Sequence, residues 1–426
     1  MRRAMTGSDE RARPSPAFPA RPPSVATEEA FAWLSDASTH LHPDDVVPAV
    51  RTAGAVFGLS EIVVYLVDLE QRWLVPVPMP GQGAEGLPTL AVDTTVAGRA
   101  YRTERPVIVP REQPDPADGP HTALWFPLLD SAERLGVLSA ISDGPVGEDD
   151  MWRWAAFVAL AAEILGNKSS YGDLLTIARR TQPASLAAEM RWAMLPPMTF
   201  TGRNLTVSGV VLPPYDVAGD TFDYAVNGNT AHIVIIDAVG HGLEAARIAN
   251  LAVSCYRNGR RAGRDMVETY EAMDRVVADE FGDEKFATAQ LATIDLLTGA
   301  VRWLNAGHPP PMVIRQGHRI DLTSEVWLPV GLGEGFKASL AETSLEPDDV
   351  LLFFSDGITE ARSSTGSEFG RERLADLIER RAGGNQVPSE VVRGLSHAVL
   401  AHQEHVLQDD ATLLLVSWRP SSLATP

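Results

Sequence analysis

In its second half the chain repeatedly sets an aspartate where an apolar strand meets a turn. "VIIDAVGHG" presents Asp237 and "LLFFSDGITEA" presents Asp356. "VAGDTFDY" presents Asp220 and Asp223 beside a glycine, and "LQDDATLLL" presents Asp409 and Asp410 as a strand begins. A carboxylate in such a position loses part of its hydration, and in isolation it would be costly and tend to neutralise. Several such groups are tolerable when they share a cation, which requires separate strands to end at one place. All-oxygen donors with water suit Mg2+ or Mn2+; the same donors admit Ca2+, but the calcium-loop spacing is missing. Two hard cations held ~3.5–4 Å apart by a bridging carboxylate would activate a water for in-line attack on phosphorus. Taken singly, each aspartate reads equally as a turn or cap residue. Repetition of the design argues for a metal site.

The bulk properties narrow the partners. The 426 residues are 45% hydrophobic, which is ordinary globular composition, and the length favours two or three domains. A net charge of −20 argues against a nucleic-acid partner, because phosphate binding wants a basic face. No run approaches the ~20 apolar residues needed to cross a bilayer, and the first residues lack the apolar stretch of a signal peptide. The expectation is a cytoplasmic protein without a membrane contact. A single cysteine excludes a disulfide framework and a thiolate zinc site.

Patterning divides the chain into a leader (1–26), a sheet domain (27–166), a helical linker (167–197), a second domain (198–419) and a tail (420–426). The leader is Arg-, Pro- and Ala-rich, with too little to bury. "TEEAFAWLSDASTHL" reads as a helix with Thr27 as cap and Ala30, Phe31, Leu34 and Ala37 on one side. Two strands joined near Glu70, a strand pair turning at Asp130–Glu133 and a long helix from Gly147 complete the sheet domain. In the linker, Thr181 or Gln182 would cap a second helix with Pro183 in its first turn, and Pro196-Pro197 would end it. The linker reads equally as a spacer or as a signalling helix. Beyond it come hairpins turning at Asn227-Gly228 and Thr298-Gly299, with helices between them. The fold class is α+β, with antiparallel sheets packed by flanking helices.

Two resemblances follow. "TTVAGRAYRTERPVIVP" and "WFPLLDSAERLGVLSAIS" together resemble a GAF domain, a small module that binds ligands or makes dimer contacts. No cysteine or conspicuous histidine would line its pocket, so haem or bilin attachment has no support. A sensor and a ligand-free dimerisation module stay equally open. From about Arg191 to Ser417 the chain resembles the SpoIIE-type branch of the PPM family, the metal-dependent protein serine/threonine phosphatases. The matching stretches are "RWAMLPP", "DVAGDTFDY", "IIDAVGHGLEAA", "WLNAGHPPPMVI", "LEPDDVLLFFSDGITEAR" and "QDDATLLLV".

This second resemblance implies an antiparallel β-sandwich flanked by helices and two Mn2+ or Mg2+ ions. It makes Asp237 the bridging ligand, adds the carbonyl of Ala238, and completes the set with Asp220, Asp356 and Asp410. Asp223, His241 and Asp409 would support that set from behind. An acid histidine lies closer to the bridging aspartate in the wider family, so a proton-donating role for His241 does not transfer, and holding the turn is the competing reading. His308 would anchor its loop or touch substrate. Gly219 would let backbone approach the site, and Gly240 and Gly242 would let the loop turn tightly. Eukaryotic relatives grip phosphate with an arginine before the first acidic motif, whereas this strand offers none, with Arg203 upstream. The resemblance implies a phosphorylated regulatory protein as substrate, plausibly an anti-sigma-factor antagonist. It also implies control by the GAF-like domain and a homodimer through that domain and the linker, with "RWAMLPP" and the helix after "GHG" as a switch. The rival readings are a pseudophosphatase that binds without turnover and a small-molecule phosphohydrolase.

Overall fold

The computed structural model describes residues 25–79, 86–111, 121–142, 146–216, 219–282, 284–332, 338–382, 386–404, 407 and 409–420. Most of the expected leader and tail, and nearly all of the loop "REQPDPADGP", lie outside the described residues. The first part of the chain forms α1 (Val25–His40), α2 (Val46–Val56), β1 (Leu59–Val67), β2 (Trp73–Pro76), β3 (Leu90–Ala91), α3 (Val96–Thr103), β4 (Val107–Arg111), β5 (His121–Asp130), β6 (Glu133–Ser142) and α4 (Glu148–Ser169). Its strands make one antiparallel sheet in the order β3-β2-β1-β6-β5-β4. Residues alternate between its faces. Val64, Leu66, Leu124, Phe126 and Leu128 pack under α1, α2 and α4. Tyr65, Val67 and Val137 pack under α3. Helix α1 begins before Thr27, so Thr27 lies inside the first turn and does not cap it.

The linker forms α5 (Leu174–Ala178) and α6 (Leu186–Met194). The cap of α6 is Ser185, whose side chain accepts from the Ala188 N–H, so the helix starts after Pro183 and not with it. Ser185 displaces Thr181 because its backbone is also fixed by a bond to the Tyr215 carbonyl (2.8 Å). Thr181 instead bonds the Tyr215 hydroxyl.

The second part contains β7 (Thr199–Thr201), β8 (Leu205–Leu212), β9 (Asp220–Asn227), β10 (Thr230–Ala238), α7 (Gly242–Arg261), α8 (Met266–Phe281), β11 (Ala287–Asp295) and β12 (Ala300–Ala306). It continues with β13 (Met312–Arg315), β14 (His318–Asp321), β15 (Val326–Trp327), β16 (Ala341–Ser344), β17 (Val350–Phe354), α9 (Asp356–Thr359), α10 (Arg371–Ala382), α11 (Pro388–His402) and β18 (Ala411–Trp418). One sheet runs β15-β12-β11-β10-β9 with β16 also on β12, and the other β14-β13-β17-β18-β8-β7. All of these pairs are antiparallel except β12 with β15.

The two sheets face each other through Val207, Phe222, Ile233, Ile235, Leu351, Phe353, Leu414 and Val416. Burying each such side chain contributes roughly 1.5–3 kcal/mol. Outside them, α7 and α8 cover Val234, Ile236 and Leu291, while α10 and α11 cover Leu352, Phe354, Leu413 and Leu415. The layering is helix, sheet, sheet, helix, as expected for the α+β class. Among the described residues, no helix is long and apolar enough to cross a membrane.

Candidate metal centre at the end of the sandwich

The two-residue period of the strands decides which aspartates meet. Ile233 and Ile235 face the opposite sheet, so Asp237 continues their inner row at the end of β10. Asp220 shares the inner row of Phe222 and stands directly opposite Asp237 across the β9–β10 pair. On the other sheet, Ser355 follows Leu351 and Phe353, and Asp410 precedes Leu414 and Val416 in the inner row. Asp356 opens α9 immediately after Ser355. Inner rows of both sheets therefore run out, at one end of the sandwich, into acidic groups.

Asp223 is an odd step from Asp220 and faces the helices. It accepts from Arg257 (Nε 3.0 Å, Nη2 2.7 Å) and from Arg260 Nη1 (2.7 Å). It pins α7 to β9 from outside the cluster.

Close backbone approach brings the parts together. A side chain on Gly219 would stand 2.8 Å from the Ala238 carbonyl oxygen and 3.4 Å from Asp410 Oδ2. A side chain on Gly357 would overlap the Asp410 carbonyl at 1.7 Å. Gly240 and Gly242 take the positive φ (88° and 73°) that the turn into α7 needs. His241, between them, is exposed and lends no side-chain cap to α7. His308 is buried, bonded through Nδ1 to Thr288 Oγ1 (2.7 Å), and its backbone N–H donates to Asn305 Oδ1 (2.9 Å). Burial pushes its imidazole down to about 3, so it anchors its loop in the neutral form.

The carboxylates are held unequally. Asp220 Oδ2 accepts from Ser355 Oγ (2.6 Å), whose oxygen accepts from the Thr412 N–H (2.9 Å). Asp220 Oδ1 is buried and finds no hydrogen-bond partner among the described residues. Both oxygens of Asp410 are engaged. Oδ1 accepts from Arg191 Nη1 (3.0 Å), and Oδ2 accepts from the N–H of Gly219 (2.5 Å) and of Asp220 (3.4 Å). Asp409 is exposed, and its Oδ1 accepts the N–H of Asp410 (2.9 Å).

Electrostatics shows what the cluster lacks. Burial raises the Asp237 carboxyl far above its usual range, and Asp220, Asp356 and Asp409 raise it further. Burial and then Asp410 raise Asp220. Burial raises Asp410 although Arg191 opposes it, and burial and Asp356 raise Asp409 while His241 lowers it. The sheets press like charges together with one arginine against them, and an added cation would relieve that. Among the described residues, no three His, Cys, Asp or Glu side chains are drawn tightly enough to enclose an ion. The donor set nevertheless fits a hard cation: oxygens only, an orphaned buried carboxylate oxygen on Asp220, and excess negative charge.

Arg191 was not foreseen. Ala187, Ala188 and Arg191 form the buried face of α6, and the guanidinium also bonds the carbonyls of Pro213 and Asp216. The sequence signal was an arginine at helical spacing on an otherwise apolar face. Ser355, a serine ending an inner row just before Asp356, was also missed.

The sequence profile of Stage II sporulation protein E (SpoIIE) matches residues 227–419, and that of the GAF domain matches residues 47–165. Asp237, Asp356, Asp409 and Asp410 fall inside the first span; Asp220 and Arg191 precede it. Phosphoserine phosphatase RsbU of Bacillus subtilis (strain 168) is 24% identical over 233 residues, 54% of this chain and 68% of that protein. Protein IcfG of Synechocystis sp. is 25% identical over 49% of this chain and 37% of that protein. The chain thus spans about two thirds of the one relative and little more than a third of the other. Among solved structures, the RsbU and RsbW domains of Rv1364c from Mycobacterium tuberculosis match at 26% identity, with a TM-score of 0.46. That match covers 52% of this chain and 61% of that one.

Proposed function

We propose that the chain joins a GAF domain to a SpoIIE-type protein serine/threonine phosphatase domain and hydrolyses phosphoserine or phosphothreonine on a regulatory protein with the help of two Mn2+ or Mg2+ ions. The observation that carries this reading is the uncompensated carboxylate cluster where the inner rows of both sheets end. When bound, such ions lower the pKa of a coordinated water and neutralise charge on the phosphoryl oxygens. Asp237 and the unpartnered Oδ1 of Asp220 would hold them, with Asp356 and the Ala238 carbonyl.

For the remaining ligand we favour Asp409 over Asp410, exchanging the roles inferred from the sequence. Asp410 has both oxygens engaged, whereas Asp409 is exposed beside Asp356 and His241. Asp410 then fixes the Gly219–Asp220 backbone, and Ser355 orients Asp220. Arg191 is spent on Asp410 and two carbonyls, so it does not reach a substrate. Phosphate grip then rests on the ions and on docking of the protein substrate, which favours a phosphoprotein over a small phosphate ester. A partner such as an anti-sigma-factor antagonist fits this reading, as does control by the GAF domain.

We propose the domain division read from the sequence: sheet domain 27–166, linker 167–197 and phosphatase 198–419. Large apolar side chains exposed along the linker (Tyr171 at 72%, Ile177 at 64%, Leu186 at 65%) support a homodimer there, which light scattering would test.

The deciding experiment is phosphate release from a phosphoserine protein and from an aryl phosphate, with Mn2+, with chelator and with Asp237→Asn. Release that needs metal and is lost in the variant supports the reading. Metal binding without release from either substrate would make the chain a binding protein. Faster turnover of the small ester than of the phosphoprotein would make it a small-molecule phosphohydrolase.

A further inference from the structure

Helix α11 turns one polar stripe toward the GAF domain. Ser389, Glu390, Arg393 and His397 fall on one face at helical spacing. Ser389 Oγ donates to Glu104 Oε1 (2.7 Å), and the Ser389 carbonyl accepts from Arg134 Nη2 (3.0 Å). Glu390 accepts from Arg134 Nη1 (3.2 Å) and from Arg393 (2.8 Å). Arg393 also donates to Asp93 Oδ1 (2.6 Å) and to the Gln71 carbonyl (3.3 Å). His397 Nε2 lies 2.9 Å from the Glu70 carbonyl. Arg134 donates to Gln71 Oε1 (2.9 Å) and stacks on Tyr101 (4.4 Å). Arg134, Glu390 and Arg393 are 4–6% exposed.

Four separate pieces of the GAF domain thus converge on one helix: the β1–β2 turn, the segment before α3, the residue after α3 and the start of β6. Two guanidiniums face two carboxylates, and each of the four is paired; Arg134, Arg393 and Glu390 are buried, and Asp93 completes the balance from the exposed rim. A domain resting on its neighbour only through a covalent linker has no reason to show such buried, charge-balanced complementarity.

The other side of α11 packs against the sheet containing β18. Val391, Val392, Leu395 and Val399 join Leu413 and Leu415 in one apolar core. The chain then leaves α11 at His402 and reaches Asp409 and Asp410 just before β18 begins. A change in the seating of α11 would therefore reach the carboxylate cluster directly.

We propose that this face of α11 is the site where the GAF domain docks on the phosphatase, a latch that sets the position of Asp409 and Asp410 independently of the linker. The proposal rests on the phosphatase reading for its consequence, though not for its geometry. Docked, the network holds α11 from the GAF side. Undocked, Glu390 and Arg393 hydrate, α11 is free to shift, and the start of β18 shifts with it.

Two opposed forms of the full chain test this. Arg393→Glu sets a third carboxylate against Glu390 and Asp93 and releases the latch. Glu104→Cys with Ser389→Cys in a Cys255→Ser background, joined by a short bis-methanethiosulfonate that forms a disulfide with each cysteine and releases sulfinate, locks it. The measurements are radius of gyration by small-angle scattering, hydrogen exchange of α11 and β18, and Mn2+ affinity by calorimetry. The released form is expected to be larger, to exchange faster at the start of β18, and to differ from the locked form in Mn2+ affinity by roughly 5- to 150-fold, the usual span of coupling between sites. Should Arg393→Glu fail to fold, the bridged and unbridged forms of the cysteine variant provide the comparison. Equal exchange at β18 and equal Mn2+ affinity in locked and released protein would overturn the latch. Exchange and affinity that shift while no form releases phosphate would leave the latch standing and overturn the phosphatase reading.

Discussion

Two regions of this molecule bury several charges, and they are built in opposite ways. At the α11 interface, buried Arg134 and Arg393 face buried Glu390 and, at the exposed rim, Asp93, and each charge has a partner. At the end of the sandwich, Asp220, Asp237, Asp356, Asp409 and Asp410 have, among the described residues, one arginine paired into the group, Arg191 on Asp410. The first arrangement is complete as it stands and so serves to hold surfaces together. The second is left short of positive charge, with carboxyls raised by burial and by one another, and so serves to take something up. Burial alone does not distinguish a structural ionic cluster from a functional one; its charge balance does.

The largest effect should come from unbalancing the balanced region. Arg134→Met takes one of two arginines from buried Glu390, whose oxygens Arg393 still holds, and is expected to cost about 3 kcal/mol in chemical denaturation, the low end for breaking a buried ion pair. Arg134→Met with Glu390→Met removes the pair and should recover most of that loss. If the double variant were as unstable as the single one, the interface would be held by packing and not by charge balance.

Relieving the unbalanced region should do the reverse. Asp237→Asn is expected to lower phosphate release by roughly 10²- to 10³-fold, the scale seen when an electrostatic group is removed from a reaction centre, while raising the melting temperature of the metal-free protein. Asp409→Asn should likewise abolish Mn2+ binding in calorimetry. Asp410→Asn, acting through its neighbours, should weaken binding by about 10- to 100-fold. The opposite ranking would return the ligand role to Asp410.

Next in size is the response to metal. Mn2+ at a hundred times its dissociation constant should stabilise the protein by about 2.7 kcal/mol, and chelator should remove that gain. The interface variants should keep the response, whereas Asp237→Asn should lose it.

The smallest expected effect is on pH dependence. The carboxyls of Asp220 and Asp237 are raised on folding, so the folded chain holds protons that the unfolded chain has released. Their stabilisation is complete below the unfolded carboxylate pKa of about 4 and is lost as pH rises through the folded values. Metal-free protein should therefore melt lower at pH 8 than at pH 6, and Asp237→Asn should flatten that slope.

Much of the fold was legible because local signals agreed. Strand alternation, the Asn227-Gly228 turn and the apolar runs ending on Asp237 and Asp356 place β9, β10 and β17 without reference to anything distant. The short strands β13 to β16, between Met312 and Ser344, were not read, because four- and two-residue segments give too little period to recognise. The start of α6 was misplaced because Ser185 is preferred to Thr181 only through Tyr215, which lies beyond the helix it caps.

The sequence by itself determined which residues would carry the chemistry. An aspartate at the end of an apolar strand must lie at the edge of a core, and a two-residue period settles which face it shares. That reasoning separates Asp220 from Asp223 in principle, yet only the packed helix α7, with Arg257 and Arg260, shows what Asp223 does. The tertiary structure alone decided the pairings across long stretches of chain: Arg191 with Asp410, Ser355 with Asp220, and Arg134 with Glu390. Charge partners are selected by where surfaces meet in space, and neither periodicity nor composition carries that information.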